Sequence, residues 1–193
     1  MTDNKATFPS IREINDEIRR VKAKRHRAHW RRVILLVLLI AVIAGTLISM
    51  RYISFLKIGS NGMEATLRSG DVALYRKNVA VERSSIVLIE RDGELLVKRV
   101  IGIPGDRIRI DAGGDVYVNG AKLQEDYIED RSLGNSDVSY PVIVAEDSYF
   151  VMGDHRSTSL DSRNSAIGLI AEDEIKGIVR GVIWPVYRIG TVE

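Results

Sequence analysis

A chain of 193 residues is long enough for one domain with a hydrophobic core plus an appendage. With no cysteine, disulfides and thiol chemistry are excluded, and only three histidines are available for any metal site. The net charge of +2 is mild, but its distribution is uneven.

Taken in chain order, the first feature is basic. Before residue 33 stand Lys5, Arg12, Arg19, Arg20, Lys22, Lys24, Arg25, Arg27, Arg31 and Arg32, opposed by Asp3, Glu13, Asp16 and Glu17. Residues 33–50, VILLVLLIAVIAGTLISM, follow without a charge. As a helix rising ~1.5 Å per residue this run is roughly 27 Å long, close to the hydrocarbon thickness of a bilayer. A cleavable secretory signal has a shorter apolar core, and a buried helix would carry an amphipathic face. The expectation is therefore a single membrane span.

Arg19 to Arg32 abut the N-terminal end of that run, whereas Arg51 and Lys57 are sparse beyond it. The positive-inside rule then predicts a cytoplasmic segment 1–32, a transmembrane helix 33–50 and an extracytoplasmic domain 51–193. The basic run sets topology and suits anionic lipid headgroups; confined to that side of a span, it does not read as a nucleic-acid-binding module.

Beyond residue 58, short apolar runs alternate with turn signals, which predicts a mainly β domain. IVLIE (86–90) and LLVKRVIGI (95–103) flank Asp92-Gly93, a hairpin signal. RIRID (107–111) alternates as a half-buried strand does. Glycines at 113 and 114 turn the chain into VYV, and Asn119-Gly120 turns it again. Residues 124–140 are polar and predict a long loop. YFVMGD (149–154) and IVRGVIWPVY (178–187) predict two further strands, with a single helical turn at EDEI (172–175) between them.

Three stretches carry candidate chemistry: GSNGMEATLRSGD (59–71), LLVKRVIGIPGD (95–106) and MGDHRSTSLDSR (152–163). Lys98 interrupts an apolar strand. Desolvated among Leu95, Leu96, Val97, Val100 and Ile101 it would have a lowered pKa, and a neutral amine can take a proton from a serine hydroxyl. Alternatively it is an edge-strand lysine, or one whose stem snorkels to water. Of the histidines, His26 and His29 lie in the basic tail and only His155 beyond the span, so no metal site is expected.

In this order behind this span, the three stretches resemble the type I signal peptidases, membrane-anchored Ser-Lys proteases of peptidase family S26 that remove signal peptides from exported proteins. The resemblance runs from the span to WPVYRIG, with KRVIGIPGD and GDHRSTSLDSR its most specific parts. It implies an exported all-β signal-peptidase-like domain, no cofactor, and residence in a bacterial cell membrane. In the family's first motif a serine nucleophile precedes methionine, a variable residue, proline, threonine and leucine. Here Met63, Thr66 and Leu67 match, Gly62 occupies the nucleophile position and Ala65 replaces the proline. Lys98 falls on the general base and Ser159 on the serine that orients it. Ser60 falls where some members hold the oxyanion with a hydroxyl. Asp154, Arg156, Asp161 and Arg163 fall on charged positions with structural work, and His155 stands where asparagine is common.

Without Oγ at 62 the acyl-enzyme route through that residue is closed. Ser60, two residues away, would sit roughly 6.5–7 Å from that position along a strand, far outside attacking distance. Two function classes follow. One is an enzyme acting on the signal peptides of exported pre-proteins, with Ser60 as a displaced nucleophile the alternative chemistry. The other is a non-catalytic scaffold, a pseudoprotease that holds pre-proteins or pilin-like subunits. Expected partners are those peptides, membrane lipids and an active paralogous signal peptidase, without nucleic acid.

Overall fold

The computed structural model describes residues 11–192; Asp3 and Lys5 of the basic tail lie outside the described residues. The chain divides between Ser49 and Met50 into two compact units. The first is helical. Helix α1 (Ile11–Tyr52) begins well before the apolar run, because residues 19–32 are dominated by Lys, Arg and Ala and no glycine or proline occurs between 11 and 44. The stretch Lys24–Leu47 within it is long and apolar enough to cross a membrane. The span expected at 33–50 is thus part of a longer helix.

The second unit is built of strands β1 (Ile53–Lys57), β2 (Val72–Arg76), β3 (Ile86–Arg91), β4 (Glu94–Gly102), β5 (Arg107–Ile110), β6 (Val116–Val118), β7 (Ala121–Lys122), β8 (Val142–Ile143), β9 (Ser148–Met152), β10 (Ile170–Ala171), β11 (Ile175–Trp184) and β12 (Gly190–Thr191). An eight-stranded sheet runs β1-β2-β11-β3-β4-β9-β10 with β12 on β11, and a four-stranded sheet runs β7-β6-β5-β8. The β3–β4 hairpin closes at Arg91 opposite Glu94. Its turn residues Asp92 and Gly93 have φ of +53° and +80°, the left-handed pair that a tight two-residue hairpin requires. Asn119 and Gly120 close β6 onto β7 in the same way.

Strand β3 is apolar from Ile86 to Ile89 because both of its faces are covered there. Ile86 and Leu88 enter one core with Met63 and Leu67, while Val87 and Ile89 enter another with Val100 and Val151. The expected strands at 86–90, 95–103, 107–111 and 116–118 all form, the polar 124–140 contains no strand, and residues 172–174 make a short 3₁₀ turn. Strands β1 and β2 were not legible. ISFLK follows the apolar helix without a break, so its own alternation, Phe55 61% exposed and Leu56 packed on the core, is masked.

Candidate active site

Between β1 and β2 the chain makes a loop tied at its base by Ile58 N–H to Asp71 O (2.8 Å) and Gly70 N–H to Ile58 O (2.8 Å). The Asp71 carboxylate accepts from Arg68 N–H and from Arg188 Nε. Met63 and Leu67, one turn apart and bonded N–H to O at 2.8 Å, drive the middle of the loop into the core. Gly62 is therefore held by burial of its neighbour. Ala65, where the resemblance has proline, adopts φ +91°. Proline is locked near −65°, so this loop takes a path that the family's residue could not follow.

Strand β4 brings Lys98 to the same place. The side chain is 6% exposed, and Nζ donates to Ser159 Oγ at 2.7 Å. Burial pushes the ammonium below its ordinary pKa, opposed by the charge of Asp161 and assisted by that of Arg163. A Cβ built on Gly62 would stand 3.2 Å from Lys98 Nζ and 3.4 Å from Ser159 Oγ. Gly62, Lys98 and Ser159, which the resemblance puts at the nucleophile, base and orienting positions, thus lie together. The residue at their meeting point carries no attacking atom.

Residues 152–163 hold this geometry from the other side. His155 N–H donates to Gly62 O at 3.2 Å. Gly153 lies so close that a Cβ there would overlap Ser159 Oγ and Gly62 O, which accounts for the glycine. Its N–H donates to Asp161 Oδ2 at 2.9 Å, and Asp161 in turn takes a two-pronged bond from Arg163 at 2.8 and 2.9 Å. Arg163 also donates to the carbonyls of Ser132 and Leu133, stitching down part of the long loop. Arg156 pairs with Glu125, and all four of these ionic side chains are at most 1% exposed. The structural role expected of Asp154, Arg156, Asp161 and Arg163 is the one their contacts describe.

Some members of this network were not foreseen. Arg99 clamps Asp154 through Nε (2.9 Å) and Nη2 (2.8 Å), and stacks 3.9 Å from the centre of the Tyr127 ring. Thr66 Oγ1 donates to the same carboxylate at 2.5 Å, joining the Gly62 loop to residues 152–163. Arg99 had a visible signal, a second cation beside Lys98 in an apolar strand. Glu125 had none, since it lies in a polar stretch. His155 Nδ1 is buried, has no hydrogen-bond partner among the described residues, and stands 3.8 Å from Glu64 Oε2. Nothing in these surroundings explains a histidine there.

Ser60 is exposed and lines a groove whose walls are Leu56–Ser60 and Glu94–Val97. β9 pairs with β4 only from Arg99 to Gly102, and β1 pairs only with β2. Both walls therefore offer strand edges to the groove, and the groove leads from Leu95 toward the Gly62 loop.

Comparison with known proteins gives the class. A family model described as signal peptidase, peptidase S26, matches residues 29–184. Signal peptidase I P of Bacillus subtilis subsp. natto is 32% identical over 184 residues, covering 87% of this chain and 96% of the relative. Signal peptidase I U of Bacillus subtilis (strain 168) is 35% identical over 165 residues, covering 79% and 87%. A crystal structure of a signal peptidase I from Enterococcus faecalis V583 is 28% identical, covering 52% of this chain and 97% of that one at a TM-score of 0.42. The chain belongs to the signal peptidase S26 family of serine proteases.

Proposed function

We propose that this chain is a membrane-anchored protein of the signal peptidase I type that binds signal-peptide segments of exported pre-proteins without acylating at residue 62. Its N-terminus is cytoplasmic, its β domain extracytoplasmic, and the basic run and exposed Phe55 meet the lipid. The observation that supports this reading is the convergence of a buried, hydrogen-bonded Lys98 on a glycine beside an open two-edged groove. An extended peptide adds to such edges as a strand, main-chain pairing supplying affinity and side-chain pockets supplying selectivity. In this reading Lys98 is the base, Ser159 orients it and the Ser60 hydroxyl faces the bound carbonyl.

The test is a photo-crosslinker placed at Leu95 in the full-length protein reconstituted in liposomes. A radiolabelled signal peptide crosslinks saturably, unlabelled peptide competes, and intact mass shows no acyl adduct. The crosslinked product from cells tells a pre-protein from a pilin-like subunit or a paralogous peptidase. Absence of saturable crosslinking, or an ester on Ser60, would overturn the reading.

A further inference from the structure

The far end of the chain returns to the loop that carries Gly62. After β11 a single 3₁₀ turn, Val186–Arg188, leads into β12, which pairs back onto β11 at Gly181 and Val182. Val192 then packs on the core that contains Ile58, Met63 and Leu67. This return is fixed in place, because β11 pairs with both β2 and β3 within the larger sheet. Along it Trp184, Val186, Tyr187 and Ile189 are exposed, whereas the Arg188 side chain turns inward and is 18% exposed.

The guanidinium of Arg188 meets the loop 59–71 at two places. Nε donates to both carboxylate oxygens of Asp71, at 3.0 and 3.2 Å, and Nη2 donates to the Thr66 carbonyl at 3.2 Å. The backbone carbonyl of Asp71 accepts the Ile58 N–H that ties the base of the loop. Ile58, Gly59 and Ser60 in turn line the peptide groove. The ion pair has an evident structural use, since Asp71 is 2% exposed and a buried carboxylate needs a counter-charge. The bond to Thr66 neutralises nothing. It fixes where the middle of the loop stands relative to β11.

We propose that Arg188 is a positioning residue for the groove: acting through Asp71 and Thr66, it sets the Ile58–Ser60 wall and Gly62 in the register that a bound signal peptide requires. The inference rests on the reading that the groove holds such a peptide. A strand added to an edge makes several main-chain bonds at once, and each weakens as its distance and angle depart from the optimum. A displaced wall therefore costs more than one bond. The planar guanidinium serves two acceptors in fixed directions, whereas a lysine ammonium is a point charge on a flexible stem. Arg188→Lys keeps the charge beside Asp71 and gives up the brace on Thr66, which separates charge from position.

The experiment uses full-length protein in detergent micelles and a fluorescein-labelled signal peptide whose scissile amide is reduced. Native protein, Arg188→Gln, Arg188→Lys and Arg180→Gln are compared by anisotropy, melting temperature and amide exchange. Arg180 is an exposed arginine of β11 and controls for the loss of one positive charge. Arg188→Gln is expected to weaken binding about tenfold, Arg188→Lys to recover only part of it, and Arg180→Gln to bind as the native protein does. Exchange at residues 60–67 is expected to quicken in both Arg188 variants while that of β4 does not change. If Arg188→Gln melts lower but binds with the native Kd, Arg188 is a structural brace only and the inference falls, while the groove reading stands. If Arg188→Gln does not fold, native affinity in Arg188→Lys overturns the inference just as well. A loss in Arg180→Gln as large as that in Arg188→Gln also overturns it, by assigning the effect to net charge. If the native protein does not bind the peptide, the groove reading falls and the inference with it.

Discussion

In the segment 152–163, Asp154, Arg156, Asp161 and Arg163 are each at most 2% exposed and paired, and every pair closes on a partner or carbonyl that the rest of the fold supplies. The segment 59–71 meets Lys98 with a glycine, and is held by its two apolar anchors, by backbone bonds, and by the side chains of Thr66 and Asp71. One half of the site thus carries the architecture and the other carries the chemistry. Losing the attacking atom removes no contact that the fold depends on. Losing a buried ionic partner would leave a charge stranded in the core. With glycine at 62, the buried Lys98–Ser159 pair and the ionic network behind it are still in place.

The largest expected effect restores the missing half. Gly62→Ser needs its neighbours to yield only a few tenths of an ångström, and Gly62 does not occupy the left-handed region. Peptide cleavage should rise by about 10³-fold or more and vanish again when Lys98→Met is added. If the double variant cleaves like the single one, Lys98 is not the base. On the architectural side, Arg99→Ala strands the Asp154 carboxylate and should cost about 3–5 kcal/mol, read as a large fall in the melting temperature of the full chain. A fall no larger than that of a surface arginine would erase the contrast between the halves.

A smaller effect concerns Lys98 itself. Its pKa in the native state lies below the value of 10.5 that it regains on unfolding. Between those two values the unfolded chain holds the extra proton, so stability rises as pH increases through that window. Denaturant midpoints followed from pH 7 upward should climb in the native protein. The climb should be weaker in Lys98→Met. The smallest effect lies in the Gly62 loop. Ala65 sits at φ +91°, a conformation that glycine adopts freely, so Ala65→Gly should stabilise by about 1 kcal/mol in chemical denaturation. Destabilisation would mean that the loop does not take this path.

Much of this was legible in the residues. Two hairpins were visible from their left-handed turn residues, Asp92-Gly93 and Asn119-Gly120, because the chemistry of a two-residue turn is local. The grouping of Gly62, Lys98 and Ser159 was implied by the family resemblance, and strand β4 carries Lys98 to within a hydrogen bond of Ser159. What could not be read was pairing across long separations. Glu125 finds Arg156 and Thr66 finds Asp154 only after the loops have folded back, and no periodicity announces either contact. Strand β1 was hidden for a different reason, since an apolar strand that continues an apolar helix changes period without changing composition.

The most direct test of the claim that the site is intact but for its nucleophile is equilibrium binding of a signal peptide carrying a reduced, non-cleavable scissile bond. Full-length native protein and Gly62→Ser, both in detergent, should bind it saturably with Kd values within about threefold, a difference of roughly 0.7 kcal/mol. Binding by Gly62→Ser alone, or by neither, would contradict the account.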